Sequence, residues 1–274
     1  MSRPLLFKLA VAPVAVLLAA VYLAVGPAAA EQSGRLDVAI SFDGKISPRQ
    51  LPRHRPAPVS LELSGSVRGT NGAPPPRLQR IEFAFGARGS LDTAGLPVCS
   101  RARLRNATRR QALERCGAAL VGHGEISAEV PLNPAEPILA RAGALAFNGR
   151  SNGRAAVWVL ASSASPPVSF VLPFYLRHLS TGAYGTLMSS PVSHALGRWP
   201  RLRSFEITLG RQYRAGGELH SYLNARCPLP PRFNALSVPV ARATYYFAPR
   251  PTLTQPIRRL CQVREMSAPR ERSS

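Results

Sequence analysis

Apolar and polar side chains alternate with a period of two along most of this chain, and that spacing fits sheet and little else. Only a strand sends successive side chains to opposite faces. Leu36, Val38 and Ile40 alternate with Asp37, Ala39 and Ser41 over Leu36 to Phe42, where Asp43-Gly44 is expected to stop the run. Val59, Leu61 and Leu63 alternate with Ser60, Glu62 and Ser64, and Asn71-Gly72 and Pro74-Pro75-Pro76 break the pattern. Leu78 to Phe85, Gly124 to Leu132, Ile138 to Phe147, Ala155 to Ala161, Val168 to Leu176, Arg203 to Leu209, Leu219 to Ala225 and Val238 to Phe247 read as further strands. In the run from Gly124, Glu125, Ser127 and Glu129 share one face and Ile126, Ala128 and Val130 the other. The segment from Ser47 to Pro58, rich in Pro and Arg, reads as an exposed loop.

About ten strands with turn signals between them predict an all-β fold, a β-sandwich of mostly antiparallel strands. The 21 Gly and 27 Pro of the 274 residues argue against long helices, and a hydrophobic content of 45% supplies a core. No repeat, heptad or compositional break falls between Leu36 and Cys261, so residues 31–262 read as a single domain and 263–274 as a flexible tail.

One segment departs from the strand pattern. Thr108 with Gln111 three residues later forms a capping box, Ala112, Leu113 and Cys116 fall on one helical face, and Gly117 stands where a left-handed C-terminal residue is expected. A short helix over Arg109 to Cys116 follows, too short to persist unaided. The four cysteines, Cys99, Cys116, Cys227 and Cys261, are an even set. Of three possible pairings, Cys99 with Cys116 and Cys227 with Cys261 close the shorter loops, each stabilising by about 3 to 4 kcal/mol on loop-closure grounds. The first bond would pin the helix. Zinc is the competing use, but no two cysteines have the close spacing that structural zinc requires, and neither metal nor cofactor is expected.

Residues 1–30 have the composition of a secretory signal peptide: Arg3 and Lys8, an apolar run from Leu9 to Val25, then Pro27-Ala28-Ala29-Ala30 before Glu31. Cleavage after Ala30 is the expectation, with an uncleaved anchor as the alternative because the apolar run is close to the shortest membrane-spanning length. After cleavage no stable transmembrane span is expected. The product is placed in an extracytoplasmic, disulfide-permissive compartment, secreted or in the cell envelope.

The leader, Leu96-Pro97-Val98-Cys99, the run Cys116-Gly117-Ala118-Ala119-Leu120-Val121-Gly122-His123-Gly124, Phe147-Asn148-Gly149, and the late Cys227 and Cys261 together resemble a family of exported bacterial proteins of unknown function. The resemblance covers most of the mature chain. It implies an exported all-β protein and carries over no activity and no site residues.

The motifs that suggest catalysis are weak here. Gly149-Arg150-Ser151-Asn152-Gly153 satisfies G-x-S-x-G, but a nucleophile elbow needs a strand before the serine and a helix after it. Here the following residues are strand-like, and Asn152-Gly153 is a hairpin turn signal. His178, His194 and His220 are the downstream base candidates for that reading. Glu125 and Glu129, four residues apart on one strand, would stand about 13 Å apart, beyond glycosidase spacing. His54 and His123 complete five histidines without metal spacing, and Val121-Gly122-His123-Gly124 lacks the third glycine of a phosphate loop.

Charge is the strongest remaining signal. The chain carries +21, and all its basic residues but Lys8 and Lys45 are arginine. Arg101, Arg103, Arg105, Arg109, Arg110 and Arg115 crowd the helix with only Glu114 against them, and Arg49, Arg53 and Arg55 load the early loop. Both are candidate anion-binding patches. Export and the lack of a recognition helix argue against nucleic acid, leaving polyanions of the envelope or anionic lipid head groups as partners. The expectation is an exported, non-enzymatic envelope protein, structural or binding an anionic partner; an envelope hydrolase using a serine or paired carboxylates is the alternative.

Overall fold

The structure is a computed structural model describing residues 31–35, 38–70, 72–133, 136–165, 167–192, 201–249 and 251–264. Residues 1–30, which the sequence reads as a signal peptide, His194 and residues 265–274 lie outside the described residues. The described chain is almost all strand: β1 (Glu31–Arg35), β2 (Val38–Ser47), β3 (Gln50–Leu51), β4 (Ala57–Pro58), β5 (Ser60–Gly69), β6 (Arg77–Gly86), β7 (Gly89–Leu91), β8 (Leu120–Asn133), β9 (Glu136–Ser151), β10 (Arg154–Ala164), β11 (Pro167–His178), β12 (Tyr184–Ser190), β13 (Arg201–Leu209), β14 (Gln212–Ala215), β15 (Glu218–Ser221), β16 (Leu223–Ala225), β17 (Ala235–Ala248) and β18 (Thr252–Val263). Two short helices, α1 (Arg101–Leu104) and α2 (Arg109–Cys116), interrupt them.

One 13-stranded sheet, in the order β1-β2-β5-β13-β8-β9-β10-β11-β12-β6-β17-β18-β3, holds most of the molecule. Every neighbouring pair is antiparallel except β18 with β3. A strongly twisted sheet this wide rarely stays open, and register shifts in β8, β12, β13 and β17 bend it further. It curls until its ends meet: Arg259 on β18 forms an ion pair with Asp43 on β2, and Ile257 packs over Gly44. The two halves face each other as the layers of a sandwich do, but they belong to one continuous ladder. Phe83 on β6 contacts Phe42 on β2 and Phe205 on β13 across the interior, with ring centroids 5.7 and 5.6 Å apart.

The strands differ from the sequence reading at specific points. Asp43-Gly44 does not end β2, because the ladder with β5 continues to Ser47 opposite Ser60 and Gly44 leaves room for Ile257. The segment expected as one strand from Leu219 to Ala225 breaks at the buried Tyr222: β15 pairs with β14, while β16 pairs with β4 and β7. The expected early loop contains β3 and β4 and buries Leu51. β12 and β18 are additional strands, and Val263, expected to open the tail, ends β18.

β10 shows why the molecule needs a covering layer on one side. Its inner residues Val157, Val159 and Ala161 join the main core, and its outer residues Ala156, Trp158 and Leu160 belong to a second buried cluster. Such an apolar run has no solvent face to present.

Candidate functional site

The second cluster is closed by the helices, which form a cap over the outer face of β9, β10 and β11. Leu104, Ala107, Ala112, Cys116 and Ala119 pack on Leu145, Phe147, Trp158 and Leu160. The capping box forms as the sequence predicts: Gln111 donates its backbone N–H to Thr108 Oγ1 at 3.3 Å, and Thr108 N–H reaches Gln111 Oε1 at 3.0 Å. Both disulfides are present in the expected pairing, Cys99–Cys116 and Cys227–Cys261, with Cα atoms 5.5 and 5.9 Å apart. The left-handed role expected for Gly117 is not observed. Its φ and ψ are −55° and −32°, because the chain tightens from α2 directly into a 3-10 turn over Gly117–Ala119.

Polar contacts fix the cap to the sheet. Trp158 Nε1 donates to the Cys99 carbonyl at 2.9 Å, Asn148 Nδ2 donates to the Pro97 carbonyl at 3.0 Å, and Cys99 N–H donates to the Asn148 carbonyl at 2.9 Å. Gly149 permits this arrangement, since a Cβ there would lie 2.1 Å from Trp158 Nε1. Leu96 to Cys99 and Phe147 to Gly149 are therefore the halves of one anchor. Ser169 Oγ adds a bond to the Ala107 carbonyl at 2.8 Å. Arg211 donates to the carbonyls of Gly117, Ala118 and Leu120 at 3.2, 2.8 and 2.9 Å, satisfying acceptors that the end of the helical segment leaves open. Nothing local in the sequence marks Arg211 for that role, because its partners lie about ninety positions away.

Arg101, Arg103, Arg105, Arg109, Arg110 and Arg115 are all exposed on this cap. Arg115 donates to the Arg103 carbonyl at 3.2 Å and so ties α2 to α1. Arg110 lies 3.7 Å from Glu114, and Arg109 reaches over Gly143 on β9. Arg141, exposed on β9, extends the basic surface. The early-loop patch dissolves in part: Arg53 is half-buried and donates to the carbonyls of Leu229, Pro230 and Phe233, so its guanidinium serves the chain itself. Arg49 and Arg55 remain exposed.

The interior holds a second feature that local sequence does not reveal. Between the facing halves of the sheet lies a cavity of about 80 Å³, bounded only by apolar side chains. Leu78, Ile81, Phe83 and Phe85 of β6 line one side, Phe170, Leu172 and Phe174 of β11 another, and Leu202, Phe205, Ile207 and Leu209 of β13 a third. Near it, Ser190 and Tyr245 are the cross-strand neighbours of Ile81. Both hydroxyls are buried and have no hydrogen-bond partner among the described residues. Burial pushes the Tyr245 phenol well above its ordinary value of 10.0.

The motifs weighed for catalysis have structural places. Ser151 ends β9 opposite Arg154, and Asn152 and Gly153 between them have φ of 49° and 76°, the signs of a type I′ hairpin turn. His220 Nδ1 lies 3.2 Å from Asp92 Oδ2 and its ring stacks on Tyr213. This pair braces the loop at 92–94 against β14 and β15. The Ala94 backbone N–H, with His220 assisting, holds the Asp92 carboxyl below its ordinary value of 3.8. His54, His123 and His178 are exposed.

Glu125 faces solvent, while Glu129 lies 3.6 Å from Arg203. The carboxylate pairing that spacing along one strand could not give arises across strands, where Glu125 stands opposite Glu206 on an open sheet face. Gly122 and Gly124 lie within β8, where a Cβ would meet the backbone of β13 at 2.4 and 1.9 Å; they serve strand packing rather than a phosphate. Among the described residues no group of three His, Cys, Asp or Glu side chains could hold a metal ion.

Two disulfides fit an oxidising, extracytoplasmic environment. Among the described residues no helix is long and apolar enough to cross a membrane. No protein-family model matches the chain, and no curated protein or solved structure matches it.

Proposed function

We propose that this chain is an exported, non-enzymatic protein of the cell envelope that binds an anionic partner, a phosphate-bearing wall polymer or anionic lipid head groups, through the arginines of its cap. One observation carries the reading: six exposed arginines sit on a helical element held by a disulfide, an indole hydrogen bond and the Arg211 clamp, with Glu114 the one carboxylate on those helices. A rigid base reduces the ordering cost of presenting several guanidinium groups to one partner. Guanidinium also suits phosphate and carboxylate oxygens through paired hydrogen bonds.

The test is binding of the native, oxidised protein to phosphatidylglycerol vesicles and to immobilised polyphosphate, against neutral phosphatidylcholine vesicles, as salt is raised. Retention on the anionic materials should fall steeply with ionic strength, and the neutral vesicles should retain little. Binding that is indifferent to salt, or equal on neutral and anionic vesicles, would reject the reading.

A further inference from the structure

We infer that the bond between Cys99 and Cys116 is an assembly switch: it turns the cap from a loose loop into a fixed arginine platform, so the anion site forms only once the two thiols are oxidised. The inference rests on the cap being the anion site and names how that site is controlled. The loop closed by the bond, 99–116, contains α1, α2 and all six arginines of the cap. Little else fixes it to the sheet. The polar anchors lie at or beyond its two ends: Asn148 on Pro97 and Trp158 on Cys99 before it, Arg211 on Gly117, Ala118 and Leu120 after it. Between Ser100 and Arg115, the bond from Ser169 Oγ to the Ala107 carbonyl is the one hydrogen bond to the sheet among the described residues.

Packing inside the loop is equally thin. Apart from the cysteines, the buried apolar residues it offers are Leu104, Ala107 and Ala112, set against Leu145, Phe147, Trp158 and Leu160. Those four must stay covered, so an unbridged loop still lies on the sheet, but such short side chains give it no unique packing. The helices cannot supply the missing order. They have four and eight residues, below the length at which a helix persists alone. Neither has an acidic residue in its first turn, and Arg109 and Arg110 stand at the positive end of α2. Arg101 and Arg105, four positions apart, repel one another. The capping box of α2 opposes this at one end only. The disulfide spans a separation of 17 residues, and closing a loop of that length favours the ordered cap by about a hundredfold.

The step is a thiol–disulfide exchange. The Cys99 and Cys116 thiols pass two electrons and two protons to a disulfide of the oxidant, which leaves as a dithiol, and one S–S bond then closes the cap. Cys99 and Cys116 are afterwards 1% and 5% exposed, so a dithiol reductant reaches the bond only when the cap opens. The switch therefore runs one way, toward the state that an oxidising compartment favours. A chain that keeps its thiols presents the same six arginines without a common base and is the weaker binder of polyanions.

The test compares the oxidised parent with two bond-free variants, Cys99→Ser with Cys116→Ser and Cys99→Ala with Cys116→Ala, the second leaving no buried hydroxyl. Hydrogen exchange reads the order of the cap, and retention on immobilised polyphosphate at fixed ionic strength reads the site. In both variants the Ala112 and Gly117 amides, which donate to the Thr108 and Leu113 carbonyls, should lose at least about tenfold in protection while β5 and β13 stay protected. Polyphosphate binding should weaken about tenfold, because only the ordered fraction of caps is competent. Parent-like protection of α1 and α2 in the variants, or binding within about twofold of the parent, would overturn the inference. So would an equal loss of protection in β5 and β13, since the cap would then not be a separable unit. A parent that fails to bind polyphosphate rejects the cap as the anion site instead, and the exchange data still decide whether the bond orders the cap.

Discussion

The outer face of β9, β10 and β11 and the outer face of β2, β5, β13 and β8 belong to one sheet yet are built on opposite plans. On the first, outward positions carry Leu145, Phe147, Trp158 and Leu160, which must be covered, and the helical cap covers them. On the second, the outward row is Ser41, Asp43 and Lys45 beside Glu62, Ser64 and Ser66, then Ser204, Glu206 and Thr208, then Glu125, Ser127 and Glu129. Short hydroxyls bond across the strands there, Ser41 to Ser66 at 2.7 Å and Ser127 to Ser204 at 2.6 Å. Nothing covers this face among the described residues, and it holds several of the chain's scarce carboxylates. The difference teaches where charge can do work: the arginines stand on a layer that packing holds rigid, while the acids lie on a solvated sheet with partners close by, such as Lys45 for Glu62 at 3.1 Å.

The largest expected break of this contrast is Trp158→Ala, which removes both the centre of the capped cluster and the hydrogen bond to Cys99. Denaturant unfolding should show a loss of about 3 to 5 kcal/mol, whereas Ser127→Ala on the bare face should cost under about 1 kcal/mol. Next comes the cap's covalent tie. Cys99→Ser with Cys116→Ser should lower stability by about 3 kcal/mol, and hydrogen exchange should show the loss concentrated in α1 and α2. An equal loss of protection in β5 and β13 would mean that the two faces are not independent. Smaller still is Tyr245→Phe, which deletes a buried hydroxyl that has no partner. Thermal unfolding should show a gain of about 1 kcal/mol.

The smallest effect is one of pH. The Asp92 carboxyl is held below its ordinary value, so its contribution is present above that value and is lost as pH falls through its lowered folded value. The protection of the Ala94 amide against exchange, taken relative to the intrinsic rate at each pH, should therefore fall on acidification below about pH 4, since that amide donates to Asp92 at 2.9 Å. Asp92→Asn should remove that dependence.

How much of this was legible follows from what each feature depends on. Local periodicity located the long strands, and the capping box located α2 to the residue, because both signals lie within a few positions of what they specify. β18 escaped because Gln255 occupies an inward position and Pro256 interrupts the run. The structure tolerates that proline because β18 pairs with β17 on one side and meets only the two-residue β3 on the other. β12, Tyr-Gly-Thr-Leu-Met-Ser-Ser, has too little alternation to register. The arginine cluster was visible as local density, but the engagement of Arg53 and Arg211 with backbone carbonyls was not, since their acceptors come from distant parts of the chain. The cavity was the least legible feature. Inward residues are easy to identify in sequence, but which of them fail to meet across the interior depends on how the sheet curls.

The comparison is tested most directly by two variants of equal net charge. One replaces Arg101, Arg103, Arg105 and Arg110 on the cap by Gln; the other replaces Arg49, Arg177, Arg214 and Arg232, exposed elsewhere. At roughly fivefold per arginine near an anionic surface, the cap variant should bind phosphatidylglycerol vesicles several hundredfold more weakly, and the second should stay within about tenfold of the parent. Equal weakening of the two would show that overall charge alone governs binding and would contradict the role given to the cap.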